Sequence, residues 1–287
     1  MEISLITDEI SADPETAIEM GVEWGLHNFE LRGYYADRVP RLTPYQKDKL
    51  RETLDRYQAR IIALSPGLFK FHLSTERWES FPVATIEAEI HHNWKSAYDR
   101  TQLHLYELLP ESIAYAKELG ATIINCFSFH RGGQQAGIAP DLVLNTLHQA
   151  AEMTASAGLT LAVEVESGFW ADTGSRTAQM LDAVNHPALQ LNWDPGNAIE
   201  AGDIPYPDGY AHVRKHLAHV HFKDARRLTN GRYEYTINGD VDWVGQIRAL
   251  ASDNYPGFIS IETHMQPKID SAHKALVRLR QLIEQNQ

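Results

Sequence analysis

The sequence predicts an α/β protein folded as a single (β/α)8 TIM barrel. Three observations carry this prediction. Short apolar strand patterns alternate with longer helical patterns along the whole chain, which implies a parallel sheet. Eight such units fit in 287 residues with no Gly/Ser linker and no shift in composition, so 1–287 reads as one domain. A doubly wound open sheet is the alternative, but neither GxGxxG nor a Walker A motif is present to support it.

Residues 3–7 form the first predicted strand. Asp13-Pro14-Glu15 then opens a helix, with Asp as the cap, Pro in the first turn and Glu at the positive helix end. Residues 28–32 are the second strand, and Thr43-Pro44 starts a helix to about residue 58. Residues 60–64 are the third strand. Residues 66–100 interrupt the rhythm with Pro66-Gly67, several aromatics and His91-His92. They read as an enlarged loop with short helices, in which His91, His92 and Trp94 serve a lid or a subunit contact. A helix over 101–119 stops at Gly120, the fourth strand spans 122–129, and a helix over 140–157 ends before Gly158. The last four strands are expected at 160–166, 188–194, 218–223 and 258–262, with helices near 176–184, 210–216, 242–252 and 272–284. Asn230-Gly231 signals a hairpin after the seventh strand.

Composition narrows the function. The chain has 26 Lys and Arg against 38 Asp and Glu, a net charge of −12, which disfavours a nucleic-acid partner. Cys126 is the one cysteine, so an intramolecular disulfide and CxxC sites are excluded; it reads as an inert core residue. The first residues show no secretory pattern, mean hydropathy is −0.37 and no apolar run is long enough to span a bilayer. A cytoplasmic protein without membrane contact is expected.

Chemistry concentrates in the late strands. Alternation gives strand five an apolar face (Leu161, Val163, Val165) and a polar one (Ala162, Glu164, Glu166). Strand six opposes Leu189, Leu191 and Trp193 to Gln190, Asn192 and Asp194. Strand seven opposes Val220 and Phe222 to His219, His221 and Lys223, and strand eight opposes Ile259 and Ile261 to Phe258, Ser260 and Glu262. With the apolar faces against the helices, four neighbouring strands aim carboxylates and imidazoles inward at the end where barrels carry active sites. Buried charges need partners or a cation. A divalent ion on Glu164, Asp194, His221 and Glu262 meets that need, and mixed N/O donors suit Mn²⁺, Co²⁺, Mg²⁺ or Zn²⁺. Polar residues that simply pair with one another are the competing reading. Glu166 and His219 stay open as alternatives to Glu164 and His221.

The segments Leu161-Ala162-Val163-Glu164, Asn192-Trp193-Asp194-Pro195-Gly196-Asn197, His219-Val220-His221-Phe222-Lys223-Asp224 and Ile259-Ser260-Ile261-Glu262-Thr263-His264 occur in order, with Phe29-Glu30-Leu31-Arg32 on strand two. Together they resemble the sugar phosphate isomerase/epimerase family, the xylose isomerase-like barrels that include ketose 3-epimerases and relatives of endonuclease IV. The resemblance implies a metal held by Glu164, Asp194, His221 and Glu262, with Glu164 and Glu262 also the acid/base pair. Asn197 stands where the ketose epimerases carry a substrate-contacting His, Arg227 matches an Arg that contacts substrate there, and Trp170 replaces a glutamate. Asn197 also replaces a zinc ligand of the endonuclease branch.

The expected function is therefore divalent-metal-dependent isomerisation or epimerisation of a small keto-sugar or sugar derivative through a metal-stabilised enediolate, in carbohydrate metabolism. Loss of a β-leaving group from the same intermediate makes a dehydratase or lyase on an inosose or keto-glycoside the alternative. An endonuclease IV-like nuclease and a non-catalytic sugar-binding barrel are further alternatives. A homo-oligomer, dimer or tetramer, is expected. Lys223 is a candidate for an anionic or oxyanionic substrate group, with pairing to Asp224 or Glu262 as its competing role. Arg227, His130 and Trp170 are further substrate-contact candidates, while Glu30 and Arg32 are expected to pair.

Overall fold

A computed structural model describes residues 1–72 and 97–286. Eight parallel strands close a barrel: β1 (Glu2–Ile6), β2 (Asn28–Leu31), β3 (Arg60–Leu68), β4 (Ile123–Cys126), β5 (Thr160–Glu164), β6 (Leu189–Trp193), β7 (Leu217–Phe222) and β8 (Phe258–Ile261). Each strand neighbours those before and after it, and β1 closes the ring on β8, with Leu5 opposite Ile261 and Ser4 opposite Ser260. Among the described residues, no helix is long and apolar enough to cross a membrane.

The helix starts follow from local chemistry. Asp13 accepts from the Glu15 backbone N–H at the head of Pro14–Glu23. Thr43 and Gln46 form a reciprocal capping box before Pro44–Tyr57. Outward strand residues such as Phe29, Leu161, Leu191, Trp193, Val220 and Ile261 are buried in the main apolar layer with the helices. Burial of each such side chain contributes about 1.5–3 kcal/mol. Inward residues divide by level. Ile62, Ala63, Ile123 and Ala162 form a small apolar floor, a polar middle layer lies above it, and the charged groups sit at the strand C-termini.

Several expectations need correction. The third strand does not stop at Leu64. It continues through Pro66-Gly67 to Leu68, because its ladder to β4 shifts register between Leu64 and Leu68 and absorbs the interruption. The fourth strand ends at Cys126, and the helix expected over 101–119 is Ala97–Leu103, a wide π-type turn His104–Leu108 and Leu109–Leu119. Pro110, which lacks an N–H, enters at the first turn of the last piece. The hairpin after β7 is present as Ala225–Arg227 with Tyr233–Tyr235, and Gly231 takes the left-handed backbone the turn needs. His91, His92, Trp94 and most of the expected 66–100 loop lie outside the described residues.

Candidate active site

Glu164 closes β5, and His221 lies near the end of β7; Asp194 and Glu262 directly follow β6 and β8. All four are buried. Each offers one ligand atom, and these atoms lie within 4.8 Å of one another. His221 Nδ1 is 3.1 Å from Glu262 Oε2, 3.7 Å from Glu164 Oε1 and 3.8 Å from Asp194 Oδ2. Burial opposes charge on Glu262, yet Lys223, His264 and His221 hold its carboxyl well below the usual range.

Asp194 has a second role. Its Oδ1 accepts from the Asn197 N–H and caps the short helix Pro195–Glu200, which fixes the side chain at the barrel mouth. Asn197 is engaged on both ends: its Nδ2 donates to Val165 O at 2.9 Å and Glu166 Oε2 at 3.1 Å, and its Oδ1 accepts from Lys223 Nζ at 3.1 Å. Lys223 Nζ also lies 2.9 Å from Asp194 Oδ2 and 2.7 Å from Glu262 Oε2. Burial disfavours its charge, but Asp194 and Glu262 keep the ammonium protonated well above the usual range. The expected partner Asp224 instead accepts from the Gly239 and Val241 backbones.

These ion pairs are not aligned as hydrogen bonds. Asp194 Oδ2, Glu262 Oε2 and His221 Nδ1 are all buried without a hydrogen-bond partner. Three hard or borderline donor atoms left in that state and facing one another fit a cation.

A cavity of about 450 Å³ opens above them. Its walls include Phe127, Lys70, Tyr235 and His264, none of which the sequence reading had placed there. Tyr235 arrives on the hairpin after β7, and its ring centroid is 5.7 Å from Lys223 Nζ. Glu9 and Arg32 complete the rim. Arg32 donates to Asp8 Oδ1 at 2.9 Å, Glu9 Oε1 at 3.3 Å and Glu262 Oε1 at 2.8 Å. It does not pair with Glu30, because Glu30 lies one level deeper among Ser65, Asn125, His219 and His221.

Asn197, Lys223 and Glu166 line the cavity, whereas Trp170, Arg227 and His130 do not. Trp170 is buried in the main apolar layer. Arg227 is exposed on the hairpin, where its backbone N–H donates to Asp240. His130 Nδ1 accepts from the Gly132 N–H, and its ring packs edge-on against Phe169. Thr7-Asp8-Glu9 directly after β1 was the available signal for the missed rim, since polar residues just past a barrel strand face the active end.

A closed parallel barrel with carboxylates and an imidazole converging at its strand C-termini defines a class of barrels whose mouth could hold a metal ion. The family model described as xylose isomerase-like TIM barrel matches residues 18–282, and the chain belongs to that family. It is 22% identical over 161 residues to an inosose dehydratase of Clostridium botulinum (strain Alaska E43 / Type E3), covering 50% of this chain and 54% of that protein. The chain thus spans about half the length of the curated relatives it matches. Among solved structures, it resembles a probable 3-DHS dehydratase of Bacillus anthracis with a TM-score of 0.71 and 19% identity, over 98% of this chain and 99% of the other. It also resembles a D-allulose 3-epimerase of Methylomonas sp. with a TM-score of 0.67 and 17% identity, over 98% and 96%.

Proposed function

We propose that the chain is a divalent-metal-dependent enzyme that moves a proton at the carbon beside the carbonyl of a small polyhydroxylated ketone of the sugar class. The observation that carries this reading is the set of three buried, mutually facing donor atoms on Asp194, His221 and Glu262, with Glu164 beside them. Three carboxylates and one imidazole suit Mn²⁺, Co²⁺, Mg²⁺ or Zn²⁺. When bound, such an ion would polarise the substrate carbonyl and offset the charge of the enediolate.

The chain's own residues supply the remaining steps. Glu164 and Glu262 come from β5 and β8, with β6 and β7 between them, so they flank a molecule seated over the barrel axis. One takes the proton from carbon and the other returns it. Asn197 ties Glu166 to Lys223 and keeps both walls in place. Tyr235 and Phe127 supply apolar faces against the ring of the substrate. Proton return to the same carbon gives epimerisation, and return to the neighbouring carbon gives isomerisation.

Dehydration is the second reading, and Lys223 favours it. An ammonium held 2.7 Å from Glu262 can deliver a proton to a departing hydroxyl in the β position. Asn197, in place of the epimerases' His, speaks against the ketose epimerases' set of sugar contacts. Relatives named inosose dehydratase and probable 3-DHS dehydratase support this outcome, and the one named D-allulose 3-epimerase supports the first.

One experiment tests both readings. The protein is loaded with Mn²⁺ or Co²⁺ and incubated in D₂O with inososes, free and phosphorylated ketoses and keto-glycosides. Deuterium at the carbon beside the carbonyl is expected for at least one class, with loss of water if Lys223 acts as described. Glu164→Gln and Glu262→Gln should keep the fold and abolish exchange. A protein that binds no divalent ion and exchanges no substrate proton refutes the proposal and leaves a sugar-binding barrel.

A further inference from the structure

Beneath the four converging groups lies a fully enclosed carboxylate, Glu30 on β2. A carboxylate only accepts hydrogen bonds. Its Oε1 accepts from the Ser65 hydroxyl and from Asn125 Nδ2 at 2.8 Å. Its Oε2 faces two imidazole nitrogens, His219 Nε2 at 2.9 Å and His221 Nε2 at 3.2 Å. The two His221 nitrogens therefore see opposite environments. Nε2 meets a buried anion, while Nδ1 meets Glu164, Asp194 and Glu262.

A neutral imidazole carries one N–H. An acceptor-only partner at Nε2 draws that hydrogen to Nε2 and leaves the lone pair on Nδ1. Asn192 faces the same nitrogen through its Nδ2 at 3.0 Å; turning the carboxamide end for end puts its oxygen there, where it works in the same direction. That orientation also gives the otherwise unpartnered Asn192 Oδ1 a donor. The polar middle layer supports the arrangement from below. His219 is shared between Glu30 and Ser260, and Ser260 is bonded to Ser4, so Glu30 is anchored through groups on five other strands.

We infer that Glu30 is a positioning residue for ion capture: it pins the His221 hydrogen on Nε2 and turns the Nδ1 lone pair toward the three carboxylates. The inference rests on the proposed metal-dependent function. Outer carboxylates of this kind are worth about 10–100-fold in metal affinity.

The test titrates Mn²⁺ into metal-free wild type, Glu30→Gln and Glu30→Asp by calorimetry. It is paired with imidazole ¹⁵N–¹H correlation spectra of the Cd²⁺-loaded wild type. One ion per chain is expected in the wild type, with about 10–100-fold weaker binding in Glu30→Gln and the His221 hydrogen on Nε2. Wild-type affinity in Glu30→Gln overturns the inference. So does a hydrogen on Nδ1, and so do two ions per chain falling to one in the variant, since Glu30 would then be a ligand itself. If Glu30→Gln does not fold, Glu30→Asp, which keeps the charge but withdraws it from the ring, is judged by the same criterion. A wild type that takes up no divalent ion contradicts the proposed function instead. Because the inference concerns ion capture at that site, it falls with that function.

Discussion

Glu9 is the sharpest place to test the rim. Its carboxylate is buried, and its Oε2 accepts from the Thr263 N–H at 2.9 Å, the Thr263 hydroxyl at 2.8 Å and the His264 N–H at 2.9 Å. Its Oε1 faces Arg32 and His264, each at 3.3 Å. Burial alone would raise its pKa, but His264 and Arg32 prevail and lower it from 4.5 to about 2. The folded state therefore binds the proton less readily than the unfolded chain. Glu9 contributes stability that is complete above about pH 4.5 and is lost as pH falls through 2. That shift is worth about 3 kcal/mol at pH 6 and roughly 1.5 kcal/mol at pH 3. Urea unfolding of wild type and Glu9→Gln, from pH 6 to pH 3 with chelator present, reads the difference directly. The variant should be the less stable at pH 6, with the gap narrowing by about half by pH 3. A gap that stays constant over this range refutes the reasoning. The same clamp holds His264 in a left-handed backbone conformation (φ 52°), so the variant should also loosen the loop after β8.

Four further outcomes follow from the structure. Lys223→Met should lower turnover by about 100-fold without weakening Mn²⁺ binding; wild-type turnover excludes a role for the ammonium. Gly196→Ala should reproduce that loss with the fold intact, because an added Cβ would lie 2.7 Å from Lys223 Cγ and displace the lysine stem. Gly174→Ala should cost about 3 kcal/mol in thermal or urea unfolding, since its Cβ would meet the Gly209 backbone at 2.2–2.6 Å; an unchanged midpoint contradicts this. The Cys126 thiol is fully buried, and burial pushes its pKa up, so iodoacetamide should label it only after unfolding. Rapid labelling of the native protein would show that β4 opens.

The barrel was legible because each strand shows its own alternation. Leu189, Leu191 and Trp193 against Asn192 and Asp194 is a local pattern that needs no knowledge of the partner strand. The converging Glu164, Asp194, His221 and Glu262 were legible for the same reason, as all four sit at strand ends. What stayed hidden is non-local. Nothing within Asn28–Leu31 reveals that Glu30 lies under two histidines 189 and 191 positions away. Arg32, two residues on, was assigned to the wrong partner because the next inward position on a strand is a full level higher, at the rim. Trp170 was placed by the family resemblance and His130 by strand alternation, and the backbone after β4 and β5 leaves the regular path both assume: Phe129 adopts a positive φ, and Trp170 N–H donates to Phe129 O.

The seam between β1 and β8 has a consequence for how the molecule is made. Leu5 has β2 on one side early in synthesis, but its other neighbour, Ile261, is delivered only after another 255 residues have left the ribosome. Until then β1 and β7 are open sheet edges, and Glu262 is absent from the mouth. Ring closure and completion of the four-residue cluster are thus a single event on the nascent chain. A product truncated before Phe258 would combine two unpaired edges with an incomplete mouth, which makes it a substrate for chaperones and proteases rather than a partly active barrel.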